Sequence, residues 1–318
     1  MSERSQHVRD AAPAPVPAVL HQGPPQDPPS GLPYPLVLRP TSMLQGMVGL
    51  VAAFTGFVLF VPIVSAFVIQ VGAWIRRPDD WGVYQKAARA YELPEGLLAG
   101  HLGLAFLTII ALVIARFFHG RSAKWTFSVQ PGMRWRYLLV TFLAAAVLLN
   151  GMLWLGFTWQ GMPEFHGGQE AWPLFLAVVL ISSPLQALAE EVFFRGYLLQ
   201  VMGSMVGKVW FGIVFSSLIF AILHGTQNPA LFVHRLAFGL VSGWLVLKTG
   251  GLEASIGAHI VNNLGAFIYA MFSSSVAAAR GVSSITWDKA AWDILTFVLF
   301  ALVAWWLGRK MNVATLTP

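Results

Sequence analysis

Two glutamates and an arginine stand at the end of a long apolar run in the sequence. The run begins near Trp172, and Glu190, Glu191 and Arg195 close it in a Glu-Glu-x-x-x-Arg pattern. Charged side chains are costly in a hydrocarbon setting, so such residues pair, line a wet cavity or do chemistry. Glu191 and Arg195 are four residues apart on one helical face, which predicts an ion pair. Glu190 lies about a hundred degrees away around the helix and is left for chemistry.

Two more polar groups interrupt apolar runs further along the chain. His224 follows Phe220 by four residues, and Asn263 follows His259 by the same spacing. His259 and Asn263 therefore project from the same face of a helix and form a small polar patch. Together with Glu190, these residues place a carboxylate, two imidazoles and an amide on three neighbouring apolar segments.

The depths of these groups in a membrane are not equal when they are counted from the turns. If the chain turns near residues 203–207, Glu190 and His224 differ in depth by about one helical turn. Counted from the glycine turn at residues 250–251, His259 is shallower than Glu190 by roughly 10 Å. We therefore expect the first hairpin to tilt or to protrude from the membrane on the side of that turn.

This set of side chains suits two hydrolytic mechanisms. In the first, Glu190 takes a proton from a water molecule that His224 orients, and later gives it to a leaving amine. His259 and Asn263 then donate hydrogen bonds to the oxyanion of a tetrahedral intermediate. In the second, Glu190, His224 and His259 bind Zn²⁺ and leave one position for an activated water. The sequence leaves both mechanisms open, so the cofactor is either Zn²⁺ or none.

The composition indicates a polytopic membrane protein. Of the 318 residues, 56% are hydrophobic and only 11% are charged, and the absence of cysteine excludes disulfides and thiolate chemistry. The apolar runs are continuous, which favours helices over barrel strands. The fold class predicted is all-α, a membrane bundle of about eight transmembrane helices. The predicted spans are Leu44–Trp74, Leu97–Ala115, Tyr137–Phe157, Trp172–Val201, Val209–His224, Leu231–Leu247, Leu252–Phe272 and Trp292–Leu307.

The bundle is predicted to be flanked by two tails. Residues 1–42 contain ten of the nineteen prolines, which predicts a disordered cytoplasmic tail. Residues 43–310 form the transmembrane domain, with a catalytic core at 172–272, and residues 311–318 form a C-terminal tail. Within the domain, a Gly-x-x-x-Gly pattern at 239–243 predicts close helix packing inside the chain rather than a dimer interface.

Basic residues in the connections predict the orientation in the membrane. With eight spans, twelve lysines and arginines lie on the side of the termini and six on the other side. The positive-inside rule then places both termini in the cytoplasm of a bacterial-type cell membrane, and the site is expected to open on the same side. Basic residues beside apolar runs set topology, so nucleic acid is not an expected partner. The expected partners are the lipid bilayer and a membrane-embedded or membrane-associated protein or peptide substrate; the sequence specifies no oligomeric state.

At these motifs the chain resembles the CaaX protease and bacteriocin-processing family of intramembrane endopeptidases, which is related to the Ras-converting CaaX prenyl endopeptidase. The family carries Glu-Glu-x-x-x-Arg, Phe-x-x-x-His and His-x-x-x-Asn or His-x-x-x-Asp, in that order, on successive membrane helices. All three motifs occur here between residues 172 and 272. The resemblance implies supporting roles for Glu191, Arg195 and Phe220, with the first two bracing the helix or assisting binding.

The resemblance also implies the catalytic roles. Glu190 and His224 would activate water, while His259 and Asn263 would form the oxyanion site. Family members are often described as metalloproteases, and a metal-free glutamate mechanism is also argued for them. Eukaryotic members cut after a prenylated cysteine, a substrate that nothing in this chain specifies. The alternatives are a non-catalytic membrane binding or immunity scaffold, and a proton-coupled transporter that uses Glu190 as its relay.

Overall fold

A computed structural model describes residues 20, 21 and 23–318, and in this part of the chain helices are joined by short connections and three isolated β-bridges. A 3₁₀ turn (Tyr34–Leu36) precedes the first helix, and a π-helix (Glu191–Leu198) separates α7 from α8. The α-helices are α1 (Met43–Arg76), α2 (Trp81–Arg89), α3 (Pro94–Ala105), α4 (Leu107–Phe117), α5 (Lys124–Phe127), α6 (Trp135–Gln160), α7 (Trp172–Glu190), α8 (Leu199–Val206), α9 (Val209–Ile222), α10 (Pro229–Thr249), α11 (Glu253–Ser273), α12 (Val276–Arg280) and α13 (Trp287–Lys310).

The prediction of an all-α polytopic bundle is confirmed, and the count of eight spans is approximate. Each of the eight predicted apolar segments is helical. Six helical stretches in the described part of the chain are long and apolar enough to cross a membrane, whereas α9 is apolar but short. The segment of α11 is 21 residues long and carries His259 and two asparagines. These polar residues distinguish α11 from the six stretches, and His259 and Asn263 belong to the candidate site.

The centre of the bundle is the continuous helical stretch of α7, the π-helix and α8. This stretch runs for 35 residues from Trp172 to Val206. Every residue of the π-helix is buried, and its apolar side chains belong to the largest core cluster. A helix that is buried on all faces is hydrophobic all round, so the few polar residues here are fully enclosed by protein. A π-helix is rare and is frequently found at functional sites.

Glu190 and His259 lie in contact although they are counted to different depths from their turns, with Glu190 Oε2 3.5 Å from His259 Nε2. Gly243, seven residues before Gly250, packs on Ile213, six residues after Gly207, so the turn after α8 and the turn after α10 lie at a similar level. Leu252 lies beside Gly196 of the π-helix, where an added Cβ would be 3.4 Å from the leucine.

The prediction of a disordered tail is wrong for residues 23–42, which pack against the bundle. Tyr34 is fully buried, and its hydroxyl donates a hydrogen bond to Thr126 O at 2.5 Å. The Arg121 guanidinium, which is also buried, donates to the carbonyls of Gln26, Val37 and Arg39. Proline prevents helix formation in this segment without preventing burial, because side chains and backbone carbonyls still find partners. Residues 1–19 and 22 of the predicted tail lie outside the described residues.

The C-terminal tail lies against the same segment. Gly31 N donates to Thr317 O at 3.0 Å and Thr317 N donates to Leu32 O at 2.9 Å, so the two tails pair through their backbones. We call this end of the bundle the terminal end; it comprises residues 23–42, 118–134, 207–208, 250–252 and 311–318. Gly250 is part of it, with a positive φ of 69° and so little space that an added Cβ would lie 2.4 Å from Ala314 O. Only glycine suits that turn.

The opposite end of the bundle, which we call the distal end, comprises residues 77–93, 161–171, 223–228 and 274–286. Its connections also contact one another. His166 N donates to Phe272 O at 2.8 Å, and Asn228 N donates to Ser283 O at 2.8 Å. The Arg280 guanidinium lies over the Tyr91 ring at 5.4 Å. These contacts show that the turn after α9, which carries His224, lies at the end of the bundle away from the two tails.

The small residues of the Gly-x-x-x-Gly pattern pack inside the chain, as predicted. A Cβ added at Gly239 would lie 2.7 Å from Ser217 Cβ, and one at Gly243 would lie 2.7 Å from Ile213 Cγ2. Both contacts are with α9. The close approach of α9 and α10 holds the His224 turn against the rest of the site.

Candidate active site

Glu191 is the most strongly bound carboxylate of the site. It is fully buried, and its Oε1 lies 2.8 Å from His259 Nδ1 and 3.1 Å from Arg195 Nη1. Its other oxygen accepts a hydrogen bond from the Ser255 hydroxyl. The ion pair predicted between Glu191 and Arg195 is therefore confirmed. With three partners, this carboxylate is committed to holding neighbouring side chains in place.

Arg195 is buried between aromatic rings. Its guanidinium carbon lies 4.2 Å from the centroid of the Phe220 ring and 5.2 Å from that of Phe238. Neither terminal nitrogen makes a hydrogen bond of good geometry with a described residue, although Nη1 faces Glu191. Cation–π contacts are strong where water is excluded, so the rings supply much of the stabilisation that acceptors would otherwise give. Phe220 of the second motif thus braces the arginine of the first.

Glu190 has different partners from its neighbour. Its Oε1 accepts a hydrogen bond from Gln186 Nε2 at 2.5 Å, and its Oε2 lies 3.5 Å from His259 Nε2. The side chain is only 7% exposed. The prediction that Glu190 stays outside the arginine pair is confirmed, but it does not stand alone, since an amide and an imidazole face it. The separation of 3.5 Å from His259 is too long for a hydrogen bond, so Oε2 has room to take another partner.

His259 is held by one ring nitrogen and presents the other. Glu191 can only accept, so Nδ1 carries the proton of that hydrogen bond and Nε2 faces Glu190. Asn263, one turn further along α11, donates from Nδ2 to Gln186 Oε1 at 2.9 Å. Gln186 therefore links Glu190 of α7 to Asn263 of α11. Five of the side chains expected to do chemistry or to support it, on α7, the π-helix and α11, form one continuous hydrogen-bonded and ion-paired group.

His224 lies at the edge of this group. Its Nδ1 is 2.6 Å from Phe220 O, and a carbonyl can only accept, so the other nitrogen, Nε2, is the one left unprotonated in the neutral ring. The ring packs against Phe220 with centroids 4.4 Å apart, and Phe220 in turn contacts His259. Glu190 and His259 are among the charged groups near His224, but no carboxylate in the described part of the chain lies within 4.0 Å of it. The residue is exposed.

The described residues do not fit a zinc site. Zinc binding by Glu190, His224 and His259 requires all three side chains to converge on one ion at about 2 Å each. Glu190 and His259 approach each other, but no group of three His, Asp or Glu side chains in residues 20, 21 and 23–318 is arranged to hold a metal ion. The hydrogen bonds of Glu190 and His259 are made to protein partners instead. No step proposed below passes through a metal.

The expected opening of the site on the side of the termini stays a prediction. His224 belongs to the turn at the distal end, and α10 begins beside that turn and ends at Gly250 at the terminal end. A helix of 21 residues spans about 31 Å, so the two ends lie on opposite sides of the bundle.

Sequence reasoning missed two polar residues of the site, Gln186 and Ser255. Each stands four residues before a motif residue on the same helix, Gln186 before Glu190 and Ser255 before His259, and each is buried. That spacing places them on the same helical faces as the motif residues and is the signal that finds them. Phe238 on α10 gives no such local signal, because it reaches Arg195 and His259 only through tertiary packing.

Comparison with known proteins agrees with this site. Residues 171–265 match the protein family described as type II CAAX prenyl endopeptidase, Rce1-like. The matched segment contains all three motifs, and the match confirms the resemblance to intramembrane proteases of this class. One similar protein is the uncharacterized protein YyaK of Bacillus subtilis (strain 168), which is 27% identical over 243 residues, covering 69% of this chain and 81% of the relative. No solved structure gives a significant match.

Proposed function

We propose that this protein is an intramembrane endopeptidase that hydrolyses a peptide bond of a membrane-associated protein or peptide. The observation that carries the proposal is the buried pairing of Glu190 Oε2 with His259 Nε2, 3.5 Å apart, inside an apolar bundle. Intramembrane ionisable groups are functional by default, because their cost in the membrane has to be offset. The family match at residues 171–265 supports the reaction class.

Glu190 is the general base of the proposed reaction. Gln186 holds one of its oxygens, which leaves Oε2 to accept a proton from water as the water oxygen attacks the scissile carbonyl carbon. His224 Nε2, the nitrogen not used by Phe220 O, accepts a hydrogen bond from the same water and orients it. When the tetrahedral intermediate collapses, the C–N bond breaks and Glu190 returns the proton to the leaving amine. Water supplies both the oxygen and the protons of the two products.

His259 and Asn263 are the proposed donors to the oxyanion. Glu191 stabilises a protonated His259 ring through Nδ1, so that Nε2–H can point at the developing negative charge. Asn263 Nδ2 has two hydrogens and uses one for Gln186, so the second is available to substrate. Removing one such donor costs about 10²–10³ in rate in well-studied acyl-transfer enzymes. Both side chains are supplied by α11; Glu191 of the π-helix positions His259, and Gln186 of α7 positions Asn263.

Cleavage of lipidated and unmodified membrane peptides by the purified protein tests the proposal. We expect wild-type protein to cleave at least one class of peptide, and Glu190→Gln and His224→Gln to be slower by at least about 100-fold. Glu92→Gln and His166→Gln are matched controls, since both residues are exposed at the distal end. Absence of cleavage by folded wild-type protein across a diverse library, together with Glu190-dependent proton flux in liposomes, would instead indicate a transporter.

A further inference from the structure

A cationic cavity lies where α13 ends, at the terminal end of the bundle. It has a volume of about 380 Å³ and is lined by Trp305, Trp306, Arg309 and Lys310. The Arg309 guanidinium carbon lies 5.5 Å from the centroid of the Trp305 ring, and Lys310 Nζ lies 5.9 Å from that of Trp306. The indole rings therefore hold both cations beside the cavity, at the level where tryptophan anchors membrane helices.

These two cations have no anionic partner in the described part of the chain. No carboxylate among the described residues lies within 4.0 Å of Arg309 or Lys310, and both side chains are exposed. Arg134 at the same end differs, because its guanidinium is paired with Glu253 at 2.6 Å. A ring face does not use up the N–H donors of a cation, so Arg309 and Lys310 keep theirs for an oxyanion such as phosphate.

A second cavity adjoins the first through Lys310. It has a volume of about 640 Å³, lies between the start of α6 and the end of α13, and has the exposed Arg136 in its lining. No acidic residue lines either cavity. The first turn of α6 contains no acidic side chain, and its N-cap residue makes no capping hydrogen bond with its side chain. The positive end of this 26-residue helix therefore adds to the charge of the lysines and arginines.

An apolar groove follows α10 and α13 away from the cationic cavity. It has a volume of about 230 Å³ and is lined by Leu240, Val241, Trp244, Val298, Ala301 and Leu302. Trp244 of the groove contacts Trp305 of the cavity, with ring centroids 6.0 Å apart. The groove residues of α13 lie about 10–17 Å of helix before Arg309. A hydrocarbon chain that starts beside the cations can therefore continue along the groove.

A further cation lies at the same level on α10. Lys248 follows Trp244 by four residues, as Arg309 follows Trp305, and both helices run toward the terminal end. Because the two tryptophan rings are in contact, Lys248 and Arg309 lie at a similar level one turn beyond them. Lys248 is exposed, and no described carboxylate lies within 4.0 Å of it. The groove is thus followed by a cation on each of the two helices that form it.

We propose that α10 and α13 bind an anionic glycerophospholipid, with its phosphate at Arg309 and Lys310 and one acyl chain in the apolar groove. The proposal does not depend on the proposed endopeptidase function. Charge complementarity selects the occupant, since a negative headgroup matches cations that have no partner, and hydrocarbon matches the groove. A free phosphate leaves the groove empty, and the ammonium group of a zwitterionic lipid is repelled by the same cations.

Native mass spectrometry of the whole purified chain, with phosphatidylglycerol and phosphatidylcholine added, tests the headgroup preference. We expect the protein to retain phosphatidylglycerol preferentially, and the double variant Arg309→Gln, Lys310→Gln to bind it on the order of 10- to 30-fold more weakly. The matched control is Arg39→Gln, Lys208→Gln, which removes two exposed cations of the terminal end that do not line these cavities. The control should bind as the unmodified protein does.

Three results of that experiment would overturn the proposal. The first is equal retention of the two lipids by the unmodified protein, and the second is an equal loss of binding in the two double variants. The third is a lipid-free dimer, which would show that a second copy of the chain covers the groove. Soluble glycerol phosphate in excess should leave phosphatidylglycerol bound, and displacement by it would show that only the phosphate is recognised.

The absence of cysteine from the chain allows the acyl chain to be located separately. Val298→Cys lies in the groove, and Val147→Cys lies at matched depth on α6, since each is twelve residues from the helix end at the terminal end. Each cysteine carries a small fluorophore in phosphatidylcholine vesicles that contain a minor fraction of phosphatidylglycerol with brominated chains. Quenching should be stronger at residue 298 than at residue 147, and Arg309→Gln, Lys310→Gln should remove the difference. Equal quenching at the two positions with all cations present would show contact with bulk lipid only and would overturn the groove assignment.

Discussion

Two adjacent glutamates take different roles because their surroundings differ. Glu191 is surrounded by Arg195, His259 and Ser255, and each of these holds the carboxylate in place. Glu190 is held through one oxygen by Gln186 and keeps the other for His259 and the proposed water. At the scale of single residues, the amide of Gln186 thus decides which oxygen of Glu190 is available.

Replacing Gln186 with leucine should lower kcat for peptide cleavage by roughly 10- to 100-fold with little change in KM. The reason is that Glu190 loses the donor that orients it and Asn263 loses its acceptor, while the substrate-binding surface is retained. Gln186→Glu keeps the acceptor for Asn263 but places a second carboxyl group beside Glu190. An unchanged kcat in Gln186→Leu would contradict this role.

Stringent metal removal should leave the peptide-cleaving activity of the purified protein intact. The expectation follows from the ligand geometry, because Glu190, His224 and His259 are not arranged around one point in the described structure. Metal content by mass spectrometry should be well below one ion per chain in active protein. Activity that is lost on chelation and restored by stoichiometric Zn²⁺ would show that the three side chains rearrange around a metal, contrary to this prediction.

At the scale of helices, the close packing of α9 against α10 holds the second motif in place. Gly239 meets Ser217 with no space for a methyl group, and the contact includes the serine Cα, which cannot rotate away. The π-helix adds a second constraint, since it begins at Glu191, directly after Glu190. The site therefore depends on how helices are spaced as much as on which residues they carry.

Gly239→Ala should destabilise the folded protein by about 1–3 kcal/mol, because the added methyl group forces α9 and α10 apart. Gly151→Ala is the matched control, as no atom lies within 4 Å of a Cβ added there. The control should be neutral or stabilising by up to about 1 kcal/mol, since alanine is the better helix former. Thermal unfolding in detergent measures both effects. Equal midpoints for the two variants would show that the contact between α9 and α10 is looser than the structure has it.

At the scale of the whole molecule, the two tails and the connection between α4 and α6 close one end of the bundle. Arg121 is the centre of this closure because its guanidinium binds three carbonyls of the N-terminal segment. Arg134 Nη2 lies 2.6 Å from Glu253 Oε2, and this ion pair ties the start of α6 to the start of α11. Arg134 also donates to Ala314 O in the C-terminal tail.

Arg121→Ala should release residues 23–42 from the bundle and lower stability by on the order of 2–3 kcal/mol, the amount typical of lost hydrogen bonds to a charged group. Limited proteolysis should then cut within that segment, and the thermal midpoint should fall. Arg136→Ala is the control, because that side chain is exposed next to the same connection. Resistance of Arg121→Ala to proteolysis at wild-type levels would mean that other contacts suffice to hold the segment.

The sequence alone determined the helical class, the apolar segments and the polar residues that are proposed to carry the chemistry. This was possible because helical periodicity and the cost of charge in an apolar run are local properties, readable from spacing. The pairing of Glu191 with Arg195 followed from a separation of four residues on one helix, and the structure confirms it. The buried N-terminal segment was missed because its composition indicates disorder, while its burial depends on carbonyl partners for Arg121 far along the chain.

Only the tertiary structure decided which partner each polar side chain takes. Glu191 rather than Glu190 holds His259 Nδ1, and Gln186 joins α7 to α11, because of the relative rotation of two helices that no local spacing specifies. The packing of α9 against α10 leaves the turn that carries His224 at the distal end. Spacing along one helix sets the faces, whereas contacts between helices set the depth and the partners.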